Sequence, residues 1–292
     1  MFAVMAFLVA ACQADIDRKV VDVHAGGDGL FYATIEEPGL DAKVYADQDL
    51  RVLWNKNDRI SVFSKNDYNG EYVFQGEDGD NSGTFGPVQE GTGNPLENIY
   101  AVYPFASGTS MNAEGVIALT LPAIQHYSLN SFGRGDNTMV SVTDNHFLHF
   151  KNACGYLSFK FYGENVWVRS VTLRGNDNEK LAGAATVTMT PGSNPDVKMA
   201  DDALEEITLS CETPVALSSN PEAYVEFWFV LPPTAFTGGF TVTVTDAVGG
   251  TFIKATQSEI HIERNHMSRM AAVQVVPSHT AGDNEGIKHE IW

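Results

Sequence analysis

Basic residues are scarce in this 292-residue sequence: 18 Lys and Arg stand against 37 Asp and Glu, for a net charge of -19. A chain this acidic is repelled by phosphate backbones and by anionic lipid headgroups. Nucleic-acid partners and electrostatic membrane binding are therefore excluded as expectations. Long apolar runs are missing beyond the first dozen residues. A spanning helix needs about 20 apolar residues in a row, and no later stretch approaches that. Cysteine is rare, with three in all, and none stands at the C-x-x-C spacing of a metal or redox site. Cys154 and Cys211 both fall in the second half, where an exported compartment would permit a disulfide. Two separate buried thiols are the other reading, because free cysteine is among the most buried residue types.

The usual signatures of catalysis are absent too. The sequence has no G-x-S-x-G elbow, no H-E-x-x-H, no phosphate-binding loop and no G-x-G-x-x-G. No enzyme, metal or cofactor is expected on these grounds. Asp78-Gly79-Asp80-Asn81-Ser82-Gly83 opens like a calcium loop, but its twelfth position is Gln89 and Pro87 sits just before it. An acidic hairpin loop is the simpler reading. His146 and His149 are three apart on an expected strand, so their side chains project from opposite faces and cannot share a metal. Arg134-Gly135-Asp136 spells an integrin-ligand tripeptide, yet a glycine between charged residues is also ordinary turn chemistry. Trp54 and Trp167 remain open as an aromatic platform for a glycan, whereas Trp228 lies in an apolar run that reads as core.

What is present begins at the N-terminus. Phe2 to Ala11 is an apolar run too short to span a bilayer and suited to the h-region of a secretory signal. Leu8-Val9-Ala10-Ala11-Cys12 places small residues before a cysteine, similar to the bacterial lipoprotein box. In that motif the cysteine is lipidated and becomes the mature N-terminus. Residues 1–12 are thus expected to be a lipoprotein signal ending at a lipid-anchored Cys12. The alternative is an ordinary cysteine in an apolar N-terminus.

The rest reads as all-β. Val, Ile, Thr, Phe and Tyr recur in short alternating runs separated by Gly, Asn, Asp and Pro, the pattern of β-sandwiches. Expected strands in the first half are 31–37, 59–64, 71–75, 99–103 and 116–121. In the second half they are 156–161, 167–173, 183–189, 206–210, 224–231, 240–245, 251–255 and 270–276. Residues 76–98, with six glycines and two prolines, read as loop. Residues 128–145 are the expected interdomain linker. The domains are then 20–145 and 146–277, followed by a polar tail, 278–292, that closes on Ile287-Lys288-His289-Glu290-Ile291-Trp292.

Several stretches, taken in order, resemble the fimbrillin family of Bacteroidales, the subunits and accessory proteins of type V pili. They include Phe31-x-Ala33-x-Ile35-Glu36, Leu53-Trp54 ahead of Asp58-x-Ile60-Ser61-Val62-Phe63, and Tyr100-Ala101-Val102-Tyr103-Pro104. Leu121-Pro122-Ala123-x-Gln125-x-Tyr127, Phe150-Lys151-Asn152, Gly155-x-Leu157-x-Phe159 and Leu231-Pro232-Pro233 follow, then Ile262-x-Arg264-Asn265. The resemblance implies two tandem transthyretin-like sandwiches in a structural and adhesive subunit. It would be exported as a lipoprotein to the outer membrane and found in extracellular fimbriae. It also implies partners: other copies or related pilus subunits, a surface Arg/Lys-specific protease, and an adhesion receptor on a host or bacterium. Assembly would follow removal of the strand at 31–37, with Lys43 and Arg51 as the processing candidates, and a neighbour's strand would fill the groove. The donated strand would come from the C-terminal tail or from 270–276. A glycan-binding surface lipoprotein of the same sandwich type, which does not polymerise, is the alternative.

Overall fold

The computed structural model describes residues 29–36, 52–66 and 68–278. Strands dominate them, with one 3₁₀ turn at Pro221–Ala223. The first half of the chain contributes β1 (Phe31–Ile35), β2 (Arg59–Lys65), β3 (Gly70–Phe74), β4 (Ser82–Pro87), β5 (Pro95–Tyr103) and β6 (Ser110–Met111). It continues with β7 (Ile117–Leu121), β8 (Ile124–Ser128), β9 (Ser131–Phe132), β10 (Met139–Thr143) and β11 (Phe147–Asn152). The second half begins with β12 (Gly155–Tyr162), β13 (Trp167–Gly175), β14 (Gly183–Thr188), β15 (Asp196–Met199), β16 (Glu206–Ala216) and β17 (Val225–Leu231). β18 (Thr234–Phe236), β19 (Phe240–Asp246), β20 (Thr251–Ala255), β21 (Ile260–Ile262) and β22 (Met267–Gln274) complete it. The described residues are all-β, and each expected strand falls on an observed one.

Seven strands close into a barrel in the order β1-β11-β10-β5-β2-β3-β4. Its interior is aromatic: Phe31, Trp54, Phe74, Phe85 and Phe150 pack together with Ile60, Val62 and Met139. The outer faces of β2, β5 and β10 are covered as well. Phe63, Val102 and Val140 meet Ile117, Leu119, Leu121, Ala185 and Val187 from a four-stranded sheet ordered β15-β14-β7-β6. Coverage on both faces explains why Ile60, Ser61, Val62 and Phe63 are buried in succession, and likewise Met139 to Val142.

The third core lies between a sheet ordered β17-β12-β22 and a six-stranded sheet ordered β20-β19-β13-β16-β8-β9. Phe159, Phe161, Phe227 and Phe229 from the first meet Val171, Leu173, Ile207, Leu209, Val242 and Val244 from the second. Pairing runs across residue 145 in four places: β1 and β10 both pair with β11 in the barrel, and two further pairings lie outside it. β7 is antiparallel to β14 with Leu119 opposite Ala185, and β8 is parallel to β16 with Gln125 opposite Leu209. The buried Gln125 side chain reinforces this crossing. Its amide donates to Val230 O at 2.7 Å and its carbonyl accepts from Val230 N at 2.9 Å.

Two expectations need correction. The 128–145 segment, expected as a linker, contains β9 and the fully enclosed β10. The 76–98 segment, expected as loop, contains β4 and the start of β5. β4 was obscured by its glycines. A Cβ on Gly83 would lie 2.6 Å from the Phe74 ring, so glycine marks a close approach in a strand and not a break in it.

Candidate functional site

β1 is the element on which the candidate site is built. Its alternation is strict: Phe31, Ala33 and Ile35 point into the barrel, while Tyr32 and Thr34 face outward and are half-buried. On one side it runs parallel to β11, with Ile35 opposite Phe150. On the other it runs antiparallel to β4, with Ala33 opposite Gly83. The Phe31 ring lies 5.3 Å from Tyr72, edge to face, and 5.5 Å from His146, stacked. Outside, Tyr32 meets Phe147 at 6.2 Å and the Thr34 hydroxyl is 2.8 Å from His149 Nδ1.

The strand ends in a polar network. The Glu36 carboxylate accepts from the backbone N–H of Asn152 and from Arg264 Nη1, which also donates to Asn152 O at 2.9 Å. Asn152 Nδ2 donates to Asn265 Oδ1 at 2.7 Å, and Asn137 Nδ2 donates to Asn152 Oδ1 at 2.6 Å. Tyr156 O–H donates to Asn137 Oδ1 at 3.3 Å. Burial pushes the Tyr156 hydroxyl far above the ordinary tyrosine range, so it stays a donor. Asn265 occupies the left-handed region at φ 60, where asparagine is tolerated. Its N–H donates to Cys154 O at 2.8 Å, which ties the turn carrying Arg264 to the start of β12.

The expected site residues disperse. Cys12, Lys43 and Arg51 lie outside the described residues, as does the 287–292 tail segment. Cys154 and Cys211 are both buried and free, as in the reading of two separate buried thiols. They sit in different cores, Cys154 against the four-stranded cover and Cys211 within the sandwich. Desolvation pushes their thiols up to about 12 and about 11. Trp54 has no exposed surface. It is a centrepiece of the barrel and not a glycan platform, because Phe85, Phe150 and Tyr103 enclose it at 5.0 to 5.4 Å. Trp167 is 55% exposed on β13, far from the barrel core in topology, so the two indoles form no common surface.

The other motifs are structural. Arg134 donates from Nε to Asp58 Oδ1 at 2.8 Å, and Asp136 Oδ2 accepts from His126 N at 2.7 Å. The tripeptide is therefore a turn whose charged groups face inward partners. Asp78 accepts from Lys56 N at 2.7 Å and Asp80 from Glu77 N at 3.0 Å. Among the described residues no group of three His, Cys, Asp or Glu side chains is placed to hold a metal. A shallow groove of about 690 Å³ runs beside the barrel, lined by Lys65, Tyr68, Glu97, Asn98, Tyr100 and Asn112. Asn112 is already committed there, accepting from Glu114 N and Val116 N.

Sequence reasoning missed the pairing of Glu36 with Arg264. The two are 228 residues apart. The one available signal was that both stand inside stretches carrying the family resemblance.

Neither a protein-family model nor a curated protein matches the sequence. In fold the chain is similar to a candidate cell adhesion protein from Bacteroides ovatus, with a TM-score of 0.51 at 17% identity over 84% of this chain and 91% of that one. A candidate cell adhesion protein from Bacteroides uniformis gives 0.45 at 15% identity, over 75% and 88%. The tip fimbrial protein Mfa3 from Porphyromonas gingivalis gives 0.30 at 9% identity, over 84% and 95%. Of these three, the first is close enough to establish a shared fold. The two Bacteroides neighbours are named cell adhesion proteins and the third a tip fimbrial protein.

Proposed function

We propose that the chain is a structural, adhesive subunit of a cell-surface fimbria, of the fimbrillin kind and not an enzyme. It reaches the outer membrane as a lipoprotein anchored through Cys12. A surface protease specific for Arg or Lys cuts after Lys43 or Arg51 and releases β1, and a strand from a neighbouring subunit takes its place. Assembly is then β-augmentation: main-chain hydrogen bonds supply affinity and the inward pockets supply specificity. The partners are other pilus subunits and an adhesion receptor, with no cofactor.

One observation carries this reading. β1 lies between β4 and β11 with only its inward side chains buried. Its loss would leave two adjacent strands with unpaired backbone edges around an apolar slot, a strong template for a new strand. The fold shared with the Bacteroides ovatus protein supports the same reading.

The test is digestion with a trypsin-like protease, N-terminal sequencing, and a denaturing gel run without boiling. New N-termini just after Lys43 or Arg51, together with a ladder of resistant oligomers, are expected. A 37–51 segment that resists cutting, or a cut product that stays strictly monomeric, would overturn the proposal. The alternative, a glycan-binding lipoprotein, now rests on Trp167 alone. It would be favoured by a glycan-array signal that Trp167→Ala abolishes.

A further inference from the structure

We propose that the slot occupied by β1 selects strands of one chemical pattern, and that Arg264 is the residue that reads it. The pattern is aromatic, small and aliphatic at alternate positions, followed at once by an acid. The inference rests on the strand-exchange reading above and names the partner that reading requires: an extended segment from a different subunit.

The first three positions follow from the walls of the slot. Phe31 fills a place bounded by the rings of Tyr72 and His146. Ala33, with no exposed surface, lies between Gly83 and Leu148. Gly83 is itself held against the Phe74 ring, so the floor has no slack and a larger third residue overpacks it. Ile35 sits opposite Phe150.

The sixth position is where charge enters. Glu36 and Arg264 are only 12% and 18% exposed. A guanidinium this enclosed is strongly penalised without its carboxylate. Its place does not depend on β1. The turn that carries it is held by the Asn265 N–H to Cys154 O bond and by the Asn152 to Asn265 bond, both independent of β1. Arg264 therefore remains as a preformed cation at one end of the slot after β1 has gone. Apolar alternation alone repeats every two residues and permits a strand to slip by two; one charge at one end removes that freedom.

The chain's own C-terminal candidates do not fit. In residues 267–292 the acids are Asp283, Glu285 and Glu290, and five positions before them stand Ser278, Thr280 and Glu285. None is a large apolar residue. β22 is moreover already paired with β12. No segment of 267–292 carries the pattern, so the donor we infer is a segment of another subunit.

The experiment uses the full chain after the protease cut, exchanged against fluorescent synthetic peptides of residues 30–37. One peptide has the native sequence and others carry Glu36→Lys, Glu36→Gln or Ala33→Leu, with a further peptide of residues 286–292. Uptake is read by anisotropy and by retention on an unboiled gel. The native peptide is expected to enter, with Glu36→Lys weaker by on the order of tenfold or more and Ala33→Leu also weakened. Arg264→Glu in the protein is expected to reverse the preference between Glu and Lys peptides. Should that variant fail to fold, the peptide series on unaltered protein still decides. Equal uptake of Glu36 and Glu36→Lys peptides would overturn the role of Arg264 while leaving strand exchange standing. Equal uptake of the 286–292 peptide would overturn the different-subunit partner. Failure of every peptide to enter would remove strand exchange itself, and this inference with it.

Discussion

Replacing Trp54 separates a core role from a surface role most directly. The indole is fully buried, with three rings packed edge to face at 5.0, 5.3 and 5.4 Å and Phe74 tilted at 6.0 Å. Trp54→Ala loses the transfer free energy of the ring and leaves a cavity at the centre of a rigid aromatic cluster. The expected cost is about 3–5 kcal/mol. The edge-to-face contacts, worth about 0.5–1.5 kcal/mol each beyond area, place the value toward the upper end. Trp54→Phe should behave differently. The indole N–H is buried and has no acceptor among the described residues, and an unpaired buried donor costs about 1–3 kcal/mol. Removing it offsets much of the lost ring area, so Trp54→Phe is expected to fall within about 1.5 kcal/mol of the parent. Urea unfolding followed by far-UV circular dichroism measures both. A cost below about 1 kcal/mol for Trp54→Ala would refute the enclosed setting and return the residue to the surface. A Trp54→Phe cost equal to that of Trp54→Ala would show that the N–H has a partner after all.

Two further outcomes follow from the buried groups. In a double-mutant cycle, Arg264→Leu alone should destabilise the chain by about 3 kcal/mol, because Glu36 is left buried with one remaining donor. Adding Glu36→Gln should recover part of that loss; a coupling below about 0.5 kcal/mol would refute the pair. In the second, a thiol reagent at pH 8 should leave Cys154 and Cys211 unlabelled in the folded chain and label both in urea. Their thiols, raised to about 12 and about 11, stay protonated and enclosed at that pH. Mass spectrometry that found them joined would overturn the two-core placement.

The expected strands all exist because each carries either its own alternation or a short apolar run, as β17 does, a signal local enough to read in a few residues. β10 could not be read that way. Met139-Val140-Ser141-Val142 is buried on both faces, which only the four-stranded cover explains. Its polar surroundings made the whole segment look like a linker. β4 fails by composition, with Gly83 standing against the Phe74 ring and Gly86 against the Gln75 side chain. Trp54 follows Leu53 and precedes Asn55-Lys56-Asn57-Asp58, so nothing beside it indicates burial. It takes rings from residues 74, 85, 103 and 150 to enclose it. The same limit hid the Glu36–Arg264 contact, since a single charge carries no periodicity.

If a barrel strand is exchanged as proposed, the two cores limit which strands could leave. β2 and β10 hold two cores at once, with one face in the aromatic interior and the other under the four-stranded cover. Withdrawing either would open both cores. β1 contributes to the interior alone. Its departure uncovers Phe31, Ala33 and Ile35, of which two are large, a loss of about 3–6 kcal/mol at about 1.5–3 kcal/mol per large side chain. The ladder hydrogen bonds add about 1 kcal/mol each. That sum is of the order of a domain's whole stability, about 5–15 kcal/mol, so the slot is not expected to remain empty for long. A replacement strand that matches the alternation restores the interior, and one that also brings an acid to Arg264 restores the polar end. The cover sheet and the sandwich stay paired throughout. Exchange at β1 therefore perturbs one face of one core, whereas exchange at β2 or β10 would dismantle two.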